Sequence, residues 1–232
     1  ENMYLYDYHM HSQNSSDGKS TISELSIAAL DLGLKEIAIT DHFEPTMTDQ
    51  DCLSYDVEGY FFELLRSKAI FANRLNIKSA VEIGQPHLFS NATLKLIESY
   101  PYDFVLASAH KINGHIDFGE ISYSKDNISF YCDQYLNELE ELVKWNKFDC
   151  IGHLDLVKRY AANFDIKVNL IDYQEKLSEI LKIIIDNGKG IEVNTSGLRH
   201  ASKECLPNLD IVRLYKQLGG EIITIGSDAH TA

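Results

Sequence analysis

The chain has 232 residues and a formal net charge of −14, from 21 Lys and Arg against 35 Asp and Glu. That balance argues against a binder of nucleic-acid backbones, which needs a basic face to displace counterions, and it disfavours anionic membrane surfaces. At 44% hydrophobic residues there is material for one sizeable core, no apolar run approaches the ~18 residues of a membrane span, and four scattered cysteines without Cys-x-x-Cys spacing suit a reducing, cytoplasmic setting.

Strand-like and helix-like runs alternate along the chain, which predicts a mainly parallel α/β sheet. Strands are expected over 3–8, 36–40, 79–83, 104–107, 150–152, 190–193 and 221–225. Several of these are almost wholly apolar, as strands covered on both faces are. Thr21-Ile22-Ser23-Glu24 reads as a capping box, and Leu25, Ala28, Ala29 and Leu32 then share a helical face that stops at Gly33. Further helices are expected over 57–75, 91–99, 129–147, 171–187 and 208–218. No internal repeat, low-complexity stretch or linker divides the chain, so residues 1–232 are expected to form a single domain.

The unusual polar residues map onto one part of this pattern. His9 and His11 follow the first strand and Asp17 lies in the next loop. His42 follows the second strand, Glu82 is near the end of the third, and His110 follows the fourth. His153 ends the fifth, Asn194 and Ser196 follow the sixth, and Asp228 and His230 follow the seventh. In a parallel barrel those C-terminal strand ends share one face, and that face carries the active site. Six of the nine histidines fall there. A mixed imidazole and carboxylate set suits zinc, manganese or iron.

These residues resemble the PHP family, the polymerase and histidinol phosphatase group. The likeness is carried by His9-x-His11, Asp17, Thr40-Asp41-His42, Glu82, His110, His153 and Gly226-Ser227-Asp228-Ala229-His230. Its histidinol-phosphatase branch is matched further by Gly152-His153-Leu154-Asp155-Leu156 and by residues 192–199. The resemblance implies a distorted (β/α)7 barrel with three divalent metal ions at the C-terminal ends of its strands. It implies that His9, His11, Glu82 and Asp228 hold the first metal. Glu82 then bridges to a second held by His110 and His153, and Asp17, His42 and His230 hold a third. In relatives a final helix follows, so the chain ending at Ala232 is expected to lack it.

Such a set supports hydrolysis of a phosphate monoester by metal-bound hydroxide without a phosphoenzyme, Glu82 acting as the bridge. Asp17, His42, His230 and a metal-bound water are the candidates for protonating the leaving group. Arg159 and Arg199 follow the fifth and sixth strands and are candidates for gripping phosphate through their planar forks. His115 and Phe118 are candidates for stacking on an imidazole-bearing substrate. Asp41 and Asp155, beside ligands, could orient a ligand imidazole or be plain loop carboxylates. The expected activity is that of a histidinol-phosphate phosphatase in histidine biosynthesis, taking a small phosphorylated substrate. A broader PHP phosphoesterase acting on nucleotides, oligonucleotides or phosphotyrosine, and an inactive metal-binding PHP module, are the alternatives.

Overall fold

Residues 3–232 are described by a computed structural model. Its strands are Tyr6–Asp7 (β1), Glu36–Phe43 (β2), Asn76–Gly84 (β3), Phe104–Ser108 (β4), Lys111–Ile112 (β5), Ile116–Asp117 (β6), Cys150–Ile151 (β7), Gly190–Asn194 (β8) and Ile223–Gly226 (β9). Its α-helices are Ile22–Asp31 (α1), Val57–Ile70 (α2), Ser90–Ser99 (α3), Ile128–Trp145 (α4), Val157–Ala161 (α5), Gln174–Asp186 (α6) and Leu209–Gln217 (α7).

Seven strands pair in parallel in the order β1-β2-β3-β4-β7-β8-β9. The sheet then curls until its edges meet. Tyr8 N–H donates to Ile225 O (2.9 Å), Asp228 N–H to His9 O (2.8 Å) and His11 N–H to Ala229 O (2.8 Å). The result is a nearly closed seven-stranded parallel barrel with helices outside it, as the strand–helix alternation predicts.

Strand periodicity explains which side chains face inward. On one face lie Ala38, Ala80, Phe104, Leu106 and Cys150, a small buried cluster closed by Tyr8. His42 and Glu82 continue the same alternating faces of β2 and β3, so the packed barrel interior leads directly into the polar site. The opposite faces carry Ile37, Ile39, Val81 and Ile83, which join the larger core beneath the helices. Helix α6 contributes Leu177, Ile180, Leu181 and Ile184 to that core, one apolar stripe at helical spacing.

The Thr21 capping box forms as read: the Thr21 hydroxyl accepts from Glu24 N–H (3.1 Å) and the Glu24 carboxylate from Thr21 N–H (2.8 Å). Several boundaries differ. Helix α2 stops at Ile70 instead of running to 75, because Phe71 turns inward and Asn73 takes a left-handed conformation (φ 65°). Strand β2 continues through His42 to Phe43. The β5–β6 hairpin and the short helix α5 were not anticipated; Asn113-Gly114, both at positive φ, is the hairpin's local signal.

Candidate metal centre

His11, Asp17, His42, Glu82, His110, His153, Asp228 and His230 line one cleft at the C-terminal strand ends, and His9 lies fully buried against His11. In the first group, His9 Nε2 and His11 Nε2 are 3.0 Å apart. Glu82 Oε2 lies 3.3 and 3.5 Å from these two nitrogens, and Asp228 Oδ1 3.6 and 3.3 Å. A tetrahedral site with bonds of about 2.1 Å has edges of about 3.4 Å. The spacing of His9, His11 and Asp228 therefore fits a single cation, with Glu82 Oε2 close beside both histidines.

In the second group, the other Glu82 oxygen takes part. Oε1 is 3.4 Å from His110 Nε2 and 2.9 Å from His153 Nε2, and those two nitrogens are 3.4 Å apart. Glu82 thus presents one oxygen to each group, which is the geometry of a bridging carboxylate. The third group centres on Asp17 Oδ2, which is 3.1 Å from His42 Nδ1 and 3.3 Å from His230 Nε2. It is the least regular of the three. The compact set here is His11, Asp17 and His230, whereas His42 groups with His11 and Glu82 and with Glu44 and His110.

Without metal, these side chains neutralise one another. Burial opposes charge on His9, but Glu192, Asp228 and Glu82 outweigh it and hold its pKa well above the ordinary value. His42 is raised in the same way by Glu82, Asp17 and Glu44. Burial likewise opposes charge on His110, yet Glu44 and Glu82 lift it to about 9. His11 is lowered by burial. Glu82 and Asp228, although buried, are held well below the carboxylate range by their histidines. The raised histidines and the lowered carboxylates favour mutual charge pairing in the metal-free site.

A second layer fixes the rings. Glu192 Oε1 is 2.5 Å from His9 Nδ1, and its Oε2 accepts from His153 N–H (2.8 Å). Glu44 Oε2 is 2.6 Å from His42 Nε2 and 2.9 Å from His110 Nδ1. Ser108 Oγ donates to Glu82 Oε1 (2.7 Å). Sequence reasoning missed Glu44 and gave Glu192 no role. Nothing in the local sequence marks a glutamate two residues past His42; Glu192 was accessible as a buried charge in an apolar strand. Asp41 and Asp155, read either as partners of neighbouring imidazoles or as plain loop carboxylates, contact no imidazole of this site. Asp41 accepts from Ser12 N–H and Oγ and from Ser15 Oγ, bracing the loop between His11 and Asp17. Asp155 pairs with Lys158 (3.0 Å) and accepts from Asn208 N–H.

The cleft above the donors has a volume of about 180 Å³ and is also lined by Lys111, Asp117, Arg159 and Tyr160. That is below the ~300–1,000 Å³ of drug-sized pockets, so it suits a small ligand. A larger groove of about 730 Å³, edged by Lys35, Lys68, Arg74 and Lys78, lies at the opposite end of the strands and contains none of these donors. Arg159 reaches the cleft, with Nη1 3.5 Å from Asp228 Oδ2 and Nη2 3.2 Å from Tyr160 Oη. Arg199 is exposed at the rim, its Nη2 donating to Ser227 O (2.7 Å) and Asp228 O (3.3 Å). His115 is exposed on the hairpin loop and does not line the cleft. Phe118 corrects the sequence expectation: it is fully buried, edge-on to Tyr135 at 5.0 Å, because its alternation from β6 turns it into the core and leaves no face for a substrate.

Among the described residues no helix is long and apolar enough to cross a membrane. Comparison with known proteins adds to the geometry. A histidinol-phosphatase of Lactococcus lactis subsp. lactis (strain IL1403) is 31% identical over 239 residues, covering 99% of this chain and 86% of the relative. A probable histidinol-phosphatase of Clostridium acetobutylicum is 30% identical over 231 residues, covering 97% of this chain and 86% of the relative. The crystal structure of histidinol phosphate phosphatase from Lactococcus lactis subsp. lactis Il1403, complexed with zinc, L-histidinol and phosphate, matches at a TM-score of 0.82 and 28% identity, over 97% of this chain and 86% of that one. The PHP domain matches residues 7–196. With that domain spanning most of its length and its strand-end donors gathered as described, the chain belongs to the PHP family.

Proposed function

We propose that this chain is a trinuclear-metal phosphomonoesterase that hydrolyses L-histidinol phosphate to L-histidinol and phosphate. The observation that carries the metal reading is the Glu82 carboxylate, with one oxygen facing His9 and His11 and the other facing His110 and His153. On this reading His9, His11, Glu82 and Asp228 hold the first divalent ion. Glu82, His110 and His153 hold the second, and Asp17, His42 and His230 the third. Zinc, manganese and iron all suit these donors. When bound, such ions activate water near neutral pH and neutralise charge building on the phosphoryl oxygens.

The protein's own side chains then divide the remaining work. Arg159 and Arg199 are assigned to the phosphoryl oxygens, where a guanidinium offers two parallel donors. Asp17, His42 and His230 form the half-exposed side of the site, and protonation of the leaving oxygen is assigned there. The small cleft favours a monoester of a small alcohol over an oligonucleotide. The histidinol part of the substrate is supported by the Lactococcus relative, whose structure holds L-histidinol and phosphate. The reading treats residues 1–232 as a single barrel domain, supported by the one continuous parallel sheet.

The test is phosphate release from L-histidinol phosphate by the purified chain with zinc or manganese added, set against a panel of nucleotides, phosphotyrosine and p-nitrophenyl phosphate. A kcat/KM for L-histidinol phosphate well above the panel supports the assignment. A kcat/KM no better than for the generic monoesters rejects the substrate.

A further inference from the structure

Glu44 lies outside the donor set assigned above, yet it touches two members of it. Its Oε2 is 2.6 Å from His42 Nε2 and 2.9 Å from His110 Nδ1. The other nitrogen of each ring faces the metal positions. His42 Nδ1 is 3.1 Å from Asp17 Oδ2, and His110 Nε2 is 3.4 Å from Glu82 Oε1. A carboxylate only accepts, so both ring nitrogens facing it must carry the proton. Once an ion takes the opposite nitrogen of each ring, that one oxygen would leave opposite tautomers: Nε2–H in His42 and Nδ1–H in His110.

The carboxylate is itself held firmly. Its Oε1 accepts from Lys111 Nζ (2.6 Å) and from Gln85 Nε2 (2.5 Å). Gln85 Oε1 in turn accepts from the backbone N–H of His110 (2.5 Å). Space for the group is made by Gly84 at the end of β3, where an added Cβ would overlap the Glu44 carboxylate. Glu44 thus faces two imidazoles on one oxygen and Lys111 on the other, from the wall of the cleft.

We propose that Glu44 is a positioning residue that fixes the tautomers of His42 and His110 together and thereby couples the second and third metal positions. This rests on the reading of those two histidines as ligands of different ions. Carboxylates behind ligand histidines typically contribute 10–100-fold in metal affinity. Because Glu44 stands behind one ligand of each of two sites, its loss acts on both at once and spares the first site, whose His9 is held by Glu192.

The experiment compares the wild-type chain with Glu44→Gln and Gly84→Ala, loaded with zinc alone. Long-range 1H–15N spectra read which ring nitrogen of each histidine is protonated, and chelator competition reads the affinity of each zinc. Wild type is expected to show His42 protonated on Nε2 and His110 on Nδ1. In Glu44→Gln both N–H signals should broaden or vanish. Two of three zinc ions should then bind roughly 10–100-fold more weakly, with the third unchanged. Gly84→Ala, which displaces the carboxylate without altering any donor, should do the same. The reverse tautomer on either ring in wild type overturns the proposal. So does a Glu44→Gln chain that keeps all three zinc affinities. Should the wild type take up fewer than three zinc ions, the ligand assignment falls separately. The N–H signals then still decide Glu44: dependence on it upholds the contact, and persistence through Glu44→Gln overturns it.

Discussion

Glu192 Oε1 lies 2.5 Å from His9 Nδ1, with both side chains wholly buried, and this contact aims His9 Nε2 at Glu82, His11 and Asp228. The same carboxylate accepts from His153 N–H (2.8 Å), in a residue with a positive φ of 25° that a non-glycine residue rarely adopts. Glu192 thus ties a donor after β1 to one after β7. Glu192→Ala should free the His9 ring and leave His153 N–H without an acceptor. We expect about 10–100-fold weaker binding of one zinc, the ion held by His9, read by chelator competition. Wild-type affinity in this variant would show that His9 is oriented by packing alone.

Arg159 reaches the same cleft from α5, 3.5 Å from Asp228 Oδ2 and 3.4 Å from Ser196 Oγ. Arg159→Ala should remove charge-assisted contacts worth about 1.5–3 kcal/mol to phosphate. KM for a phosphate monoester should rise roughly 10–100-fold with zinc content unchanged. Arg199→Ala should act in the same direction but more weakly, because Arg199 sits exposed at the rim and is partly engaged by Ser227 O and Asp228 O. Steady-state kinetics with metal analysis separates these effects, and unaltered KM in both variants would remove the arginines from phosphate binding.

The barrel wall offers a prediction that does not involve metal. The Tyr60 hydroxyl is fully buried between β2 and β3, accepting from Ala80 N–H (2.8 Å) and donating to Ile39 O (2.8 Å). Tyr60→Phe keeps the ring and strands both backbone groups without a partner. The expected destabilisation is about 1–3 kcal/mol in urea unfolding of the metal-free chain. A midpoint unchanged from wild type would mean that the strands re-pair directly.

Acid–base behaviour follows from the cationic histidines of the metal-free chain. Burial works against charge on His110, but Glu44 and Glu82 raise its pKa from 6.5 to about 9. A group whose folded value is raised binds its proton more tightly when folded. Its contribution to stability is therefore complete below about pH 6.5 and is lost as pH rises through about 9. His9 and His42 are raised as well and act in the same sense. Calorimetry of the metal-free chain should show Tm falling between about pH 7 and pH 9.5, and the zinc-loaded chain should not follow it, since metal binding has already displaced those protons. A metal-free Tm that rises over this interval would contradict the assignment of charge.

Much of this site is legible in the sequence because strand ends announce themselves. An apolar run followed by His9-x-His11, or by Gly226-Ser227-Asp228-Ala229-His230, carries both the element and the donor it positions. What is not legible depends on tertiary approach. Glu44 becomes significant only when β2 and β4 bring His42 and His110 to the same oxygen. Phe118, one residue past β6, reads as a loop aromatic until the hairpin turns it into the core. Helix α5 has five residues and is too short to show a helical period. Asp41, adjacent to His42, serves Ser12 and Ser15 because alternation along β2 puts it on the opposite side of the strand from the ligand.

On the function proposed, three ions share this set of strand-end donors, with Glu82 between two of them. Anomalous diffraction from crystals of the zinc-loaded chain at the zinc edge tests it most directly. Three peaks are expected: one among His9, His11, Glu82 and Asp228, a second among Glu82, His110 and His153, and a third beside Asp17, His42 and His230. A single peak, or two peaks with Glu82 contacting only one of them, would contradict it.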